Sequence, residues 1–265
     1  MSESENAILI SSLPLRDRIV ILSALAGTTI LAWIYLVNMA AGMDGMMAMD
    51  AGAMMQIRPW TGAQFGYMLL MWVIMMVGMM VPSAVPMALI YAAIARKAAR
   101  QGTSLAPTAF FVSGYIVIWS VFSVVATVAQ WGLDQAALLS PMMVLTSPGL
   151  GAGLLIVAGL YQMTPMKDAC LRHCRSPAHF ISQRWKRGAF GAFRMGLEHG
   201  AYCLGCCWIL MGLLFFGGVM SLLWIAGITV FVLLEKVLPF GHVGGRVAGG
   251  AMVLGGIVSL GAWLL

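Results

Sequence analysis

Residues 198–207 read Glu-His-Gly-Ala-Tyr-Cys-Leu-Gly-Cys-Cys and lie inside an apolar segment, residues 189–217, that is long enough to cross a lipid bilayer. As an α-helix, this segment places four potential metal ligands on one stripe and a fifth beside it: Met195, His199, Cys203 and Cys206, flanked by Cys207. Imidazole, thiolate and thioether groups bind soft metals, and ionisable residues in a membrane are functional candidates. We therefore predict a metal site here, although free cysteines also pack as small hydrophobic residues.

The composition is that of an integral membrane protein. Of the 265 residues, 61% are hydrophobic and 9% are charged, whereas a soluble protein has about 25% charged residues. We predict an all-α transmembrane helix bundle that forms a single domain over residues 1–265. Its seven predicted spans, each close to or above the roughly 20 residues that a bilayer requires, are residues 19–39, 62–94, 107–130, 149–166, 189–217, 219–238 and 247–265.

The basic residues indicate the topology. The chain has a net charge of +6, and most of its 15 Lys and Arg residues lie in alternate loops. By the positive-inside rule, these loops and the N-terminal segment 1–18 are cytoplasmic, and the C-terminus lies outside. The charge therefore reflects a lipid bilayer, and we expect no nucleic-acid partner. In the sixth span Glu235 and Lys236 point about 100° apart, and we expect Glu235 to face Arg194 or a cation of an inner loop.

The predicted outer loop, residues 40–61, is rich in methionine. Its thioether side chains are spread among Gly, Ala and two Asp residues, and those that we single out as ligands are Met43, Met46 and Met47. Thioethers bind Cu(I) and stay neutral at any pH, which suits an oxidising compartment. The glycines argue against a fixed helix, so the loop either wraps a metal ion loosely or is a flexible membrane-surface loop without a ligand.

The second span repeats this pattern. Met68, Met71 and Met75 recur on one helical stripe, where they either fill gaps in a packed bundle or bind a passing metal ion. Further along the same span, Pro82 and Pro86 are expected to break or kink the helix and to free backbone carbonyls. In a membrane such carbonyls are tolerated only inside protein or beside a polar cavity.

A second cysteine motif lies in the predicted cytoplasmic loop, residues 167–188. If this segment is helical, Cys170, His173 and Cys174 share a face and supply three ligands of a soft-metal site. Neighbouring Arg and Lys residues favour the thiolate form of these cysteines. The same cations also suit anionic lipid headgroups, in which case the cysteines are incidental.

Three stretches, residues 79–86, 164–174 and 196–208, resemble a bacterial family described as predicted metal-binding integral membrane proteins, a domain of otherwise unassigned function. The resemblance extends over residues 60–240, and the last two motifs are specific. It implies a multi-pass protein of the bacterial inner membrane that binds a metal, without naming the metal or a reaction. The Met-rich loop lies outside it.

Our first hypothesis is that the protein handles Cu(I), by acquisition, transfer or delivery to a periplasmic or membrane cuproprotein. The softness of the ligands selects copper over magnesium or calcium, and zinc is the nearest competitor. A second hypothesis is a membrane thiol–disulfide oxidoreductase that uses Cys203 and Cys206. A third is a structural subunit that a metal ion staples into a larger complex. An enzyme is the less expected class, because no second buried carboxylate accompanies Glu198 in its span.

Overall fold

The computed structural model describes residues 8–49, 60–102, 106–140, 142–238 and 240–264. These residues form helices joined by short connections, which confirms the all-α prediction for this part of the chain. In chain order the helices are α1 (Leu15–Met49), α2 (Gly62–Arg100), α3 (Thr108–Gln135), α4 (Pro148–Gln162), α5 (Pro165–Arg175), α6 (Pro177–Arg184), α7 (Gly188–Gly212), α8 (Leu214–Gly217), α9 (Leu222–Val237) and α10 (Gly241–Leu264).

Five of the described helical stretches are long and apolar enough to cross a membrane, namely α1, α2, α3, α7 together with α8, and α10. A sixth is present if α4 and α5, which meet at a bend of 62°, are taken as one broken span. The predicted spans 149–166 and 219–238 correspond to α4, with 15 residues, and α9, with 16 residues, which are shorter than the roughly 20 residues of a full crossing. The number of spans and their orientation stay predictions.

The segment 40–61, which we expected to be a loop, begins as a helix. The α1 helix continues to Met49, because Ala and Met are strong helix formers and outweigh Gly42 and Gly45. The side chains from Met43 onward, including Met46 and Met47, and the whole of residues 50–59 lie outside the residues that the structure describes. Their predicted role in metal capture stays a prediction.

The segment 167–188, also expected to be a loop, contains most of α5 and the whole of α6. Each helix has Pro at its first turn, where the missing N–H costs nothing. Thr164 caps α5, since its hydroxyl accepts a hydrogen bond from the Lys167 backbone N–H at 3.3 Å. The second cysteine motif is therefore helical, which is what the predicted shared face of Cys170, His173 and Cys174 requires.

The two prolines of α2 do not break the helix, which is continuous through Pro82 and Pro86. Pro82 has no N–H to donate to the carbonyl of Gly78, one turn earlier, so that oxygen needs another donor. Trp33 of α1 supplies it, with its indole nitrogen 3.3 Å from the Gly78 carbonyl oxygen. The expected break is thus replaced by a contact between α1 and α2.

Helices α3 and α7 approach each other closely at a pair of glycines. A Cβ atom added to Gly114 would collide with the Phe193 carbonyl, and one added to Gly196 would collide with the Phe111 carbonyl. Small residues allow two helix backbones to come this near. The main core then forms where the methionines of α2, the aromatic residues of α3 and the cysteines of α7 meet, with α9 beside them.

Candidate metal centre

The ligand stripe predicted for α7 points into the protein. Its members are all buried, with exposed fractions of 3% or less for Met195, His199, Cys203, Cys206 and Cys207. The three cysteines gather around one backbone carbonyl, because the Cys206 and Cys207 thiols donate to the Cys203 carbonyl oxygen at 3.0 and 2.9 Å. Both thiols also interact with the Cys203 thiol.

The cysteines of α5 lie against this stripe. Helices α4 and α5 meet at a bend of 62°, and α5 packs against α7. Cys174 packs against the buried cluster that contains Cys203 and Cys206, and its thiol interacts with both of their thiols. Cys170 packs beside them, with its sulfur 2.9 Å from the position that a Cβ atom on Gly205 would occupy. The two cysteine motifs, predicted as separate sites, form one thiol centre consisting of Cys170, Cys174, Cys203, Cys206 and Cys207.

The two predicted histidine ligands behave differently. His173 stacks face to face on Tyr202, with 4.2 Å between ring centroids, and its Nδ1 lies 2.8 Å from the Ala169 carbonyl oxygen. It is therefore engaged away from the cysteines with which it shares α5. His199 lies one helical turn from Cys203 and stacks on the Phe111 and Tyr115 rings.

The His199 imidazole has an unused nitrogen. Its Nδ1 is buried and has no hydrogen-bond partner among the described residues. Buried polar atoms are nearly always paired, so an orphaned imidazole nitrogen one turn from a thiol cluster fits a residue that gains a partner when a ligand binds. Of the two histidines, His199 is the one whose placement suits a metal ligand.

Three residues that surround the Cys203 sulfur, Lys236, Ser83 and Tyr115, were absent from the predicted ligand set. The Lys236 ammonium lies 2.9 Å from the Cys203 sulfur and donates to the Ser83 hydroxyl at 2.9 Å. The Tyr115 hydroxyl lies 3.1 Å from the same sulfur and donates to the Met80 carbonyl at 3.0 Å. The sequence signal for Lys236 is a charged side chain inside an apolar segment, next to Glu235, which the positive-inside rule explains by topology alone.

Glu235 pairs with a cation of the predicted inner loop, as expected, and that cation is Lys167. The Lys167 ammonium lies 2.6 and 2.8 Å from the two Glu235 carboxylate oxygens, and Gln162 bonds to both residues. Lys167 is 1% exposed and Glu235 is 4% exposed. This buried ion pair joins the first turn of α5 to the last turn of α9, and so it fixes Cys174 and Lys236 relative to each other.

The predicted methionine ligands of α2 are distributed along the core. Met71 and Met75 are fully buried and belong to the same hydrophobic cluster as Cys203 and Cys206. Met68 is half-buried at the start of the helix, where the Gln130 side-chain amide points at its sulfur from 3.8 Å. The buried positions suit tight packing and a path of soft ligands equally well.

The thiol centre is not a preformed metal cage. Among the described residues, no group of three or more His, Cys, Asp or Glu side chains is arranged to hold a metal ion. The Cys203 thiol interacts with those of Cys174, Cys206 and Cys207, and all five cysteines are free. A two-sulfur site from such a pair suits Cu(I), whereas structural zinc needs four converging ligands.

Comparison with known proteins identifies one family. The protein-family model described as "PpoB2: Copper chaperone" matches residues 69–259. These residues include the whole thiol centre and the buried methionines of α2, but not Met43, Met46, Met47 or Met68. The sequence left copper and zinc open as the bound metal, and this match supports copper. Neither the curated proteins nor the solved structures contain a match to this chain.

Proposed function

This chain belongs to the PpoB2 copper chaperone family, and we propose that it is a membrane protein that holds Cu(I) at the thiol centre for transfer to a partner cuproprotein. The observation that carries the proposal is the meeting of cysteines from two helices that lie far apart in the sequence. Thiolates are soft ligands that select Cu(I) among the metals available to a cell. A cluster of five cysteines offers several pairs between which the ion can move.

The primary ligands in this proposal are Cys203 of α7 and Cys174 of α5, with Cys206 as the alternative partner of either. Both pairs with Cys174 cross between helices, so bound Cu(I) ties α5 to α7. Movement of α5 then separates the ligands and releases the ion. Transfer requires this kind of labile binding, since the ion must leave as readily as it enters.

Lys236 balances the charge of the bound state. Cu(I) with two thiolates has one excess negative charge, and burying an unpaired charge is costly. The Lys236 ammonium, 2.9 Å from the Cys203 sulfur, cancels that charge without occupying a ligand position on the metal. The Ser83 hydroxyl accepts a hydrogen bond from the ammonium, and the Tyr115 hydroxyl contacts the sulfur, so both groups are held in place.

The membrane setting rests on composition and helix length. The described helices include five that are long and apolar enough to span a bilayer, and the basic loops favour a cytoplasmic N-terminus. In this setting, which we take to be the bacterial inner membrane, the methionines of α1 and α2 would accept Cu(I) from the outer side. In support of this path, Met71 and Met75 belong to the same hydrophobic cluster as Cys203 and precede Met80, whose carbonyl accepts a hydrogen bond from Tyr115, along α2.

The experiment is a competition titration of the anaerobically purified protein with a chromophoric Cu(I) chelator. We expect Cys203→Ser and Cys174→Ser each to weaken Cu(I) binding by more than the roughly 10- to 100-fold that loss of an outer-shell partner costs. The matched control is His173→Asn, on the same helix as Cys174 but engaged with Tyr202, which should bind as the parent does.

Two outcomes would contradict the proposal. A parent protein that takes up no Cu(I) would rule out copper handling by this chain. Normal binding by Cys174→Ser, together with loss of binding in Cys203→Ser, would show that α7 binds the metal without α5 and that there is no joint centre.

The thiol–disulfide oxidoreductase is less well supported by the geometry. Cys203 and Cys206 are 1% and 2% exposed, whereas disulfide exchange needs access of a partner thiol to the attacked sulfur. A mixed disulfide trapped in vivo with Cys206→Ser would nevertheless restore that function as the main candidate.

A further inference from the structure

A buried amide lies between two thioethers at the end of α2 remote from the thiol centre. Gln130 of α3 is 1% exposed, and the Trp72 indole N–H donates to its side-chain oxygen at 2.6 Å. This bond fixes the orientation of the amide, so its NH2 group must face the other way. That group lies 3.0 Å from the Met143 sulfur and 3.8 Å from the Met68 sulfur.

The loop between α3 and α4 holds Met143 in this place. Met143 has a φ of 56°, a left-handed backbone that a side chain as large as methionine rarely adopts. Its N–H donates to the Ser140 carbonyl at 2.8 Å, and its own carbonyl accepts from the Val219 N–H at 3.5 Å. The surrounding backbone therefore keeps a strained residue in place, and strained residues of this kind cluster at ligand sites.

We propose that Met68 and Met143 form a thioether pair that binds Cu(I), with the Gln130 amide occupying the site when the metal is absent. The N–H groups of the amide place partial positive charge against the sulfur lone pairs, which is where a soft cation would bind. Both methionines are half-buried, so an ion reaches them from the surface. Trp72, which donates to the amide oxygen, is fully buried.

The ligands and their surroundings favour a soft cation. Thioethers are neutral and bind hard cations poorly, which leaves Cu(I) as the physiological candidate. Asp134 lies one helical turn beyond Gln130, and its carboxylate, held by the Trp60 indole at 2.8 Å, adds negative charge near the pair. The inference rests on the proposed function, because it assigns the entry point of the same metal.

The position along α2 makes the pair an entry site. The Met80 carbonyl accepts a hydrogen bond from Tyr115 beside the thiol centre, and Met68 and Met80 are separated by about 18 Å at 1.5 Å per residue. The stretch between them contains buried methionines that share one hydrophobic cluster with the cysteines: Met71, Met75, Met76 and Met79. Thioether ligands are therefore present along α2 over the whole distance from the thioether pair to the thiol centre.

The test uses Cu(I) itself and a full-length chain in which serine replaces all five cysteines of the thiol centre, so that no thiol pair is left to bind the metal. Into this background we introduce Met143→Leu or Met68→Leu, which conserve side-chain volume. We expect either change to weaken the remaining Cu(I) binding by at least the roughly 10-fold lower bound seen for outer-shell partners. The control is Met142→Leu, the same substitution at the neighbouring residue, which should have no effect.

A second measurement uses the chain with all its cysteines and follows the rate of Cu(I) transfer from a chelator into the thiol centre. Met143→Leu should slow this loading and leave the equilibrium affinity of the thiol centre unchanged. If Met143→Leu and Met68→Leu match Met142→Leu in both measurements, the amide and thioethers only pack together and this inference is wrong. If the intact chain binds no Cu(I), the proposed function itself fails.

Discussion

The thiol centre and the thioether pair are both sulfur sites with an N–H donor against the sulfur, but the donor is charged in one and neutral in the other. At the thiol centre the Lys236 ammonium lies 2.9 Å from Cys203, and at the thioether pair the Gln130 amide lies 3.0 Å from Met143. The charge of each donor matches its ligands, since thiolates are anionic and thioethers are neutral. On the proposed function, we therefore expect the thiol centre to bind Cu(I) more tightly than the thioether pair does.

The two sites also differ in their burial and in the contacts that hold them in place. The three α7 cysteines of the thiol centre are fully buried, its two α5 cysteines are half-buried, and the buried ion pair of Lys167 and Glu235 braces α5. The thioether pair is half-buried, and its loop is held by backbone hydrogen bonds. Disruption of buried charge should therefore affect the thiol centre and leave the thioether pair unchanged.

The largest effect is expected from Lys167→Met, which leaves the Glu235 carboxylate buried without its partner. Removing one member of a buried pair costs about 3–5 kcal/mol of the free energy of unfolding. Unfolding in detergent micelles, followed by circular dichroism, measures this loss. Cu(I) binding at the thiol centre should weaken as well, because α5 and α9 lose their contact, while Met68 and Met143 keep theirs.

The double variant Lys167→Met/Glu235→Leu is the matched test of this explanation. It removes both charges, so most of the lost stability should return. Asp168 lies on the same helix as Lys167 and forms a more exposed ion pair with Arg246 of α10, so Asp168→Asn should cost about 1 kcal/mol or less. A double variant as unstable as Lys167→Met alone would refute the unpaired-charge explanation.

A smaller effect is expected from Gly196→Ala, which places a methyl group against the Phe111 carbonyl and forces α7 away from α3. Overpacking of this kind costs about 1–3 kcal/mol. Because Tyr115 lies on α3 and Cys203 on α7, the substitution should also separate these two residues and weaken Cu(I) binding at the thiol centre. The contact of Gln130 with Met68 joins α3 to α2 and should persist. Thermal unfolding and the Cu(I) titration measure the two effects.

The control for this substitution is Gly153→Ala on α4, where an added Cβ atom has nothing within 4 Å. Alanine favours the helix there, so stability should stay equal or increase by up to about 1 kcal/mol. Equal effects of both substitutions would contradict the close approach of α3 and α7.

The smallest effect is expected from Lys236→Met, which leaves the excess negative charge of a bis-thiolate Cu(I) complex uncompensated. We expect about tenfold weaker binding at the thiol centre, which corresponds to about 1.4 kcal/mol, and unchanged binding at the thioether pair. The chelator titration measures both. Lys236→Arg keeps the charge and should bind more tightly than Lys236→Met. Binding by Lys236→Met that exceeds the parent's would mean that the ammonium competes with the metal.

Much of the architecture was predictable from residue pattern alone. Apolar segments of helical length gave the all-α fold, and the period of 3.6 residues correctly turned His199, Cys203 and Cys206 toward the interior. Helix ends were less predictable. The α1 helix runs ten residues past the expected start of a loop, because local helix propensity outweighs the effect of scattered glycines.

By itself, the sequence determined which residues bear soft ligands and which face of each helix they occupy, because both follow from residue type and local helical geometry. Only the tertiary structure decided that Cys174 packs near Cys203, that Lys236 lies against the Cys203 sulfur and that one amide, that of Gln130, faces the sulfurs of both Met68 and Met143. Each of these contacts joins residues from different helices or loops. Such contacts depend on how helices bend and cross, and the bend between α4 and α5 and the glycine contact of α3 with α7 are set by packing of the whole bundle.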